Sequence, residues 1–419
     1  MRSTGRLDKQ PWMTAKATRT VIAALTEAGG HPRFVGGCVR DAIAGRKVRD
    51  VDIATPLPPE QVIPALEKAG VKAVPTGIDH GTVTAVCAGE HFEITTLRMD
   101  VETYGRHARV AYTDDWMADA SRRDLTMNAI FLDPDGALYD PFGGVEDLSA
   151  GRVRFVGEAE ARIEEDVLRL LRFFRFHAWY GTPPPDAEAL AACRKLAPKL
   201  PQLSAERVWS ETRRLLLAPD AASVFVLMRE DGVLDHFLPE ARNFARLDAL
   251  AGLEVDSIEP DPVRHLGSVL DIDEAGARAV AERLKFSNAE RERLARLARE
   301  LPGFAPDRDA AARRQLYRLG PERFRDLVLL DRARQLAAAK AAGKASPGSG
   351  EFDAALAEAD RWKPKKLPVG GEDAKSLGVA HGPPVGDVLA RVEEWWIEGD
   401  FKATRKRALA KLKALVDER

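Results

Sequence analysis

Strand-like patterning stops at Gly151. Ahead of it, short runs rich in Val, Thr and Ile alternate with amphipathic stretches; behind it, apolar residues recur at helical spacing. Such a chain folds as a mixed head carrying an all-helical arm. In the head, residues 15–28 (AKATRTVIAALTEA) and Glu60–Gly70 read as helices, and Arg33–Gly36 and Val48–Thr55 as short strands. Thr82–Ala88 and His91–Arg98, separated by Gly89-Glu90, have the spacing of a hairpin. Asp119–Leu132 looks helical at its start and extended at its end. The elements show no regular strand–helix alternation, which predicts a mixed sheet.

In the arm, the periodicity predicts helices at Ala159–Trp179, Pro185–Leu196, Ser204–Leu217, Ala221–Glu230, Pro262–Leu270, Glu274–Leu284, Asn288–Glu300, Arg308–Leu319 and Pro321–Ala342. Residues 337–353 (AAAKAAGKASPGSGEFD) are small and polar, and their second half reads as a flexible connection. Three more helices are expected near Gly371–Leu377, Val385–Ile397 and Thr404–Val416.

A chain of 419 residues allows two to four domains at about 150 residues each. Its 45% apolar and 31% charged residues exclude disordered and fibrous classes. No stretch approaches the roughly 18 apolar residues of a membrane helix, and the N-terminus has no apolar signal core, so neither membrane nor secretion is expected. Cys38, Cys87 and Cys193 are far apart and odd in number; they read as inert buried thiols in a reducing cytoplasm. A net charge of -2 excludes a uniformly basic nucleic-acid binder. It does not exclude a local basic surface, and the last nineteen residues hold seven Lys/Arg against two Asp/Glu.

The densest chemical signal is Phe34-Val35-Gly36-Gly37-Cys38-Val39-Arg40-Asp41, followed by Val48-Arg49-Asp50-Val51-Asp52-Ile53. Gly36 and Gly37 end a strand before a helical segment, where backbone N–H groups can approach an anion and Arg40 can reach it too. Asp50 and Asp52, two apart on a strand, project from the same face. Two carboxylates beside a phosphate loop suit Mg²⁺, which takes one or two carboxylates plus substrate phosphates. Either feature alone is an ordinary turn or a pair of solvated aspartates; together they favour phosphate chemistry. Glu93, alternating with apolar neighbours in the EITTLR run, is either a third carboxylate of this site or an exposed strand residue.

Ser121–Asn128 (SRRDLTMN) is read as opening a helix, with Asp124 and Asn128 on one face in reach of a ribose hydroxyl and Arg123 able to fork onto phosphate. The alternative is a surface ion-pair cluster. In Glu165–Arg175, at about 100° per residue, Asp166, Arg169, Arg172 and Arg175 fall on one side and Val167, Leu170, Leu171 and Phe174 on the other. An ordinary amphipathic helix would look similar, but Phe173 and Phe176 lie among the arginines, as exposed aromatics that stack on bases would.

Together GGCVRD with DVD, EITTLR, RRDLTMNA, DPFGGVEDL and EEDVLRLLRFFRFHA, in this order, resemble the bacterial class II tRNA nucleotidyltransferase and poly(A) polymerase family. The resemblance is strong over about residues 33–215. SAERVWSE (Ser204–Glu211) is similar to the family's next helical motif, and GGEDAKSLGVAHGPPVGDVL to its tail. It implies an α+β fold: a polymerase-β-like head at 15–151, then an all-α neck at 152–217, body at 218–350 and basic, tRNA-binding tail at 351–419. It implies that Asp50 and Asp52 bind Mg²⁺, that Gly37, Arg40 and Arg123 hold a nucleoside triphosphate, and that Asp166, Arg169, Arg172 and Arg175 select it. It also implies that Met99–Ala111 is a mobile loop.

The region Pro75–Thr84 resembles the tRNA branch rather than the poly(A) branch, so the implied reaction is addition of CCA to tRNA 3′ ends from CTP and ATP. An enzyme adding only CC or only A stays open, and an RNA-binding protein without catalysis would leave the carboxylates unexplained. No membrane or DNA partner is expected, and nothing in the sequence sets an oligomeric state. The choice of C and A has a chemical rationale. Both bases present an exocyclic amine beside a ring-nitrogen acceptor; U and G present the reverse. Aspartate accepts and arginine donates, so Asp166 and Arg169, three apart on one helix face, form the matching pair; otherwise they form an ordinary ion pair with each other.

Overall fold

The computed structural model describes residues 1–104, 107–254, 258–300 and 309–418. The chain forms two compact units, Met1–Pro239 and Glu240–Arg419.

The first unit is built on an eight-stranded mixed sheet. Its strands are β1 (Gly5–Arg6), β2 (Arg33–Val35), β3 (Val51–Thr55), β4 (Lys72–Gly77), β5 (Thr82–Cys87), β6 (Glu90–Thr96), β9 (Phe131–Leu132) and β10 (Ala137–Tyr139). They lie in the order β1-β10-β9-β2-β3-β6-β5-β4. Every pair is antiparallel except β3 with β6. The expected β5–β6 hairpin is present; β1 and β4 carried no clear sequence signal. A separate antiparallel ribbon, β7 (Arg98–Tyr104) with β8 (His107–Tyr112), occupies the segment expected to be a mobile loop. Gly105 lies outside the described residues.

Alternation along the strands decides what each sheet face does. Phe34, Ile53, Phe92 and Ile94 are fully buried against Val21 and Leu25 of the Lys16–Glu27 helix and Val62 and Leu66 of the Pro59–Lys68 helix. Each large apolar side chain so buried contributes roughly 1.5–3 kcal/mol. The intervening residues, Asp52 on β3 and Glu93 on β6, point to the opposite face.

Beyond Gly151 the α-helices of the first unit are Ala159–Glu165, Leu168–Tyr180, Ala187–Leu196, Ala205–Leu216 and Ala221–Glu230. The single helix predicted over Ala159–Trp179 is therefore two. Asp166 adopts an extended backbone (φ -151°, ψ 105°) between them. Its side chain accepts from the Leu168 N–H at 3.1 Å and from Arg207 at 2.7 Å. The DPFGGVEDL junction is held by two aspartates. Asp140 accepts from the Gly144 and Val145 N–H groups, and buried Asp147 accepts from Thr126, Arg152 and Arg154.

The second unit is helical among its described residues. Helices Phe244–Leu253 and Gly350–Arg361 were not anticipated. The latter takes up the end of the predicted flexible stretch, because Ala355 and Ala359 pack into a core with Phe324 and Leu327. Alanine is small enough that this face looked polar. The last three helices, Gly371–Ser376, Pro383–Glu398 and Arg405–Asp417, close around Ala374, Val388, Val392, Ala408 and Leu412. Among the described residues no helix is long and apolar enough to cross a membrane.

Candidate active site

The site begins where β2 ends. Gly36 has φ +71°, a left-handed conformation that glycine adopts without steric cost. A Cβ there would stand 3.7 Å from an Asp52 carboxylate oxygen and 3.9 Å from the Arg123 guanidinium. The Gly-Gly turn, Asp52 and Arg123 thus surround one small space, and the Gly37–Ile43 helix leads away from it.

Asp52 and Glu93 are register partners across β3 and β6. Asp50 is one residue ahead of β3 rather than within it, and it lines the same cleft as Asp52. The Asp52 carboxyl is pushed up to about 6, first by burial and then by the charge of Glu93, with a further push from Asp50; Arg123 and Arg40 oppose the rise. Carboxylates gathered at such a cost are the donor set that a hard divalent cation relieves. Among the described residues no three His, Cys, Asp or Glu side chains form a ready-made metal cage. The residues therefore fit an ion completed by substrate phosphates, which is how Mg²⁺ is commonly held.

Two adjoining clefts meet here. They share Gly37, Arg40, Asp52 and Phe176. The first, about 360 Å³, is lined by Gly36, Arg123, Asp124, Asn128, Asp166, Arg169 and Arg172. Most of the sequence-predicted residues thus line this one cleft, while Asp50 and Arg175 line only the second and Glu93 lines neither, and SRRDLTMN does not open a helix. The Trp116–Ser121 helix ends as the motif begins, and a short 3₁₀ turn covers Thr126–Asn128. Asp124 and Asn128 still meet, with the Asn128 amide donating to Asp124 at 3.1 Å.

A hydrogen-bonded chain runs along this cleft. Arg40 donates to Asn128 at 2.8 Å, Asn128 donates to Asp124, and Asp124 accepts from Arg172 at 2.6 Å. Burial alone would raise the Asp124 carboxyl, but the Arg172 charge and the Asn128 amide hold it well below the ordinary range. Arg169 is anchored by Glu165 at 2.5 Å and by the Arg122 carbonyl at 3.1 Å. Asp166 and Arg169 share no side-chain bond, so the helix-face ion pair is not what forms; both line the cleft separately.

Arg175 lines the second cleft and pairs with Glu211 at 2.6 Å. Phe173 and Phe176 are buried, not exposed as predicted. Phe173 stacks on Phe155 and His177. Phe176 forms the wall shared by the clefts, with the Arg40, Arg172 and Arg175 guanidinium groups 5.0, 5.3 and 4.3 Å from its ring. Sequence reasoning missed the buried acids that organise the arginines. Asp119 holds Arg122 and Arg123, and Glu211 holds Arg175. A carboxylate spaced three or four residues from arginines was the available signal for Asp119; Glu211 has the same spacing to Arg214, but that pattern does not point to Arg175 on another helix.

This architecture is that of a nucleotidyltransferase: residues 32–154 match the Poly A polymerase head domain, and residues 185–244 the probable RNA and SrmB-binding site of polymerase A. The chain is 34% identical over 388 residues to CCA tRNA nucleotidyltransferase 1, mitochondrial, of Danio rerio, covering 91% of this chain and 86% of that one. It is 31% identical over 414 residues to the CCA-adding enzyme of Streptococcus pneumoniae, covering 97% and 99%. The crystal structure of the Bacillus stearothermophilus CCA-adding enzyme in complex with CTP superposes with a TM-score of 0.81 at 27% identity, covering 98% and 99%. The chain belongs to the CCA-adding tRNA nucleotidyltransferase family.

Proposed function

We propose that this protein adds the 3′-terminal C, C and A to tRNA from CTP and ATP, without a nucleic-acid template. The observation that carries the reading is the convergence of Asp52, the Gly-Gly turn, Arg123, Asp166 and Arg169 on one cleft. The RNA 3′-hydroxyl attacks the α-phosphate of the bound nucleotide. A P–O bond forms to the RNA, the α–β bridging bond breaks, and pyrophosphate leaves with the hydroxyl proton released to solvent.

Gly37, Arg40 and Arg123 hold the triphosphate through backbone N–H groups and guanidinium forks. Asp50 and Asp52, with Glu93 beside them, are the residues that would hold Mg²⁺, which when bound supplies charge neutralisation at the attacking and leaving oxygens. Asn128 and Asp124 position Arg40 and Arg172, so that triphosphate and base are gripped by one connected frame. Asp166 and Arg169 offer the acceptor and donor that match C and A and leave U and G unpaired.

In this reading residues 15–151 catalyse, 152–217 select the base, 218–350 form the body and 351–419 contact tRNA. The proposed place of action is the cytoplasm, a compartment in which Cys38, Cys87 and Cys193 stay reduced; all three are free thiols, Cys87 only half-buried. Extension of a tRNA transcript lacking its 3′ end, with CTP and ATP singly and together, tests the function. CTP alone should add two residues and both together three. A long tail from ATP alone would indicate a poly(A) polymerase, and no incorporation would refute the reading.

A further inference from the structure

The second unit carries a pocket of about 230 Å³ that the nucleotide chemistry does not use. Four helices contribute to its wall: Phe244–Leu253, Pro262–Val269, Asn288–Glu300 and Pro321–Ala341. Leu294, Leu297 and Leu330 line it and are buried. Gly267 lines it too, from within a helix. Glycine is a costly residue in a helix interior, and nothing local demands it here. Its φ is not left-handed, and a Cβ would sit at ordinary contact distance, 3.8 Å from Leu294 and 3.9 Å from Leu297 and Leu330. What the glycine preserves is the space between those leucines.

The polar side of the pocket is cationic. Arg246 and Arg334 line it against a single acid, Asp271. Arg334 pairs with Asp331 at 2.6 Å. Among the described residues Arg246 meets no carboxylate nearer than Asp271, at 3.7 Å, and that aspartate is exposed to water. A pair so placed contributes little, so the Arg246 charge is poorly answered. Asp271, Ile272 and Ala298 also line a wider neighbouring groove, which supplies a path from solvent.

We propose that this pocket binds a small organic monocarboxylate, its hydrocarbon body among the leucines and its carboxylate on Arg246 and Arg334. An apolar wall with a few placed polar groups is the general form of a small-molecule site. A guanidinium fork matches a carboxylate in charge and shape. An apolar cavity of about 150 Å³ is enough to hold benzene, so this one, at about 230 Å³, admits a body somewhat larger than one phenyl ring. A nucleotide is a poor fit, because the leucine wall gives its base and ribose no hydrogen-bond partners. None of these residues lines the two clefts of the first unit, so the proposal stands apart from the proposed function.

The probes are phenylacetate and its neutral counterpart phenylacetamide, added to the full chain carrying ¹³C-labelled leucine methyls. Phenylacetate should shift the Leu294, Leu297 and Leu330 methyl signals with a Kd of about 1 mM or tighter, and phenylacetamide should bind at least tenfold more weakly. The double variant Arg246→Gln, Arg334→Gln should lose at least tenfold in affinity for phenylacetate and stay within twofold for phenylacetamide. Gly267→Leu should abolish the shifts from both. If Gly267→Leu fails to fold, the unmodified protein and the charge variant still decide. Methyl signals that phenylacetate leaves unmoved, or equal affinity of the unmodified protein for acid and amide, overturn the proposal.

Discussion

Asp52 and Glu93 stand opposite one another, without offset, in the parallel pairing of β3 and β6. Because side chains alternate along each strand, this register sends both carboxylates to the face away from the apolar core. Burial raises the Asp52 carboxyl, and the like charge of Glu93 in register raises it further. A protein retains such a pair when something bound to it returns the cost.

The first prediction follows from that pair. Asp50→Ala and Asp52→Ala should each lower kcat for CMP incorporation by more than about a thousandfold, the scale expected when several kcal/mol of charge stabilisation is removed. Glu93→Gln should have a smaller effect, about ten- to a hundredfold, because it alters the surroundings of Asp52 more than the donor set. All three should keep wild-type circular dichroism and tRNA affinity. Near-normal turnover in both aspartate variants would remove the carboxylates from the mechanism.

The second prediction concerns base choice. Asp166→Ala should reduce use of CTP and ATP and relax discrimination against UTP and GTP, and Arg169→Ala should do likewise, since a site built to hydrogen-bond one pattern rejects the reverse strongly. Arg207 pairs with Asp166 at 2.7 Å, so Arg207→Ala should weaken selectivity without abolishing it. The measurement is single-nucleotide incorporation with each of the four triphosphates. Unchanged preference in the Asp166 and Arg169 variants would place selection elsewhere.

Local pattern was enough for some of these features and not for others. The alternation Asp52-Ile53 marked both the core and the site, and the Gly36-Gly37 turn before it located the cleft. The break at Asp166 was invisible because helical periodicity continues through it; a bond to Arg207, far along the chain, holds it open. Phe176 looked exposed on a helical wheel, yet it is buried, with Arg40 from the Gly37–Ile43 helix packed against its ring. Glu211 organises Arg175 from a different helix. These features depend on tertiary partners, which a single-sequence pattern does not encode.

The third prediction concerns acid stability. Asp124 is buried with Arg172 at 2.5 Å, and although burial opposes it, its carboxyl lies well below the ordinary range. A group depressed in the fold contributes stability that is complete above its unfolded value, about 4, and is lost as pH falls through the lower folded value. Asp124→Asn should therefore be less stable than wild type at pH 7, with the difference narrowing below about pH 4. Arg172→Ala leaves the buried carboxylate with the Asn128 amide but no charge partner and should cost about 3–5 kcal/mol. Thermal unfolding followed across pH checks both; a constant difference between wild type and Asp124→Asn from pH 7 to the acid limb would contradict the linkage.

The fourth prediction separates the tail's charge from its packing. Deleting residues from 351 onward would strip Ala355 and Ala359 from the core around Phe324, and with them the docking of Asp400 on Arg313 at 2.7 Å. A loss of tRNA binding in that truncation would not identify the tail as an RNA-binding surface. The Arg405–Asp417 helix buries Ala408, Leu412 and Leu415 and leaves Lys406, Arg407 and Lys413 exposed, with Lys411 half-buried. Replacing Lys406, Arg407, Lys411 and Lys413 with Gln removes charge from the outer face without touching the buried stripe. If these residues bind tRNA phosphates, KM for tRNA should rise several-fold and the KM for CTP should hold. The salt dependence of tRNA binding should flatten by about 0.9 for each duplex phosphate that is no longer neutralised. An unchanged salt slope and tRNA affinity in a variant with wild-type melting temperature would make the tail helix a structural element only.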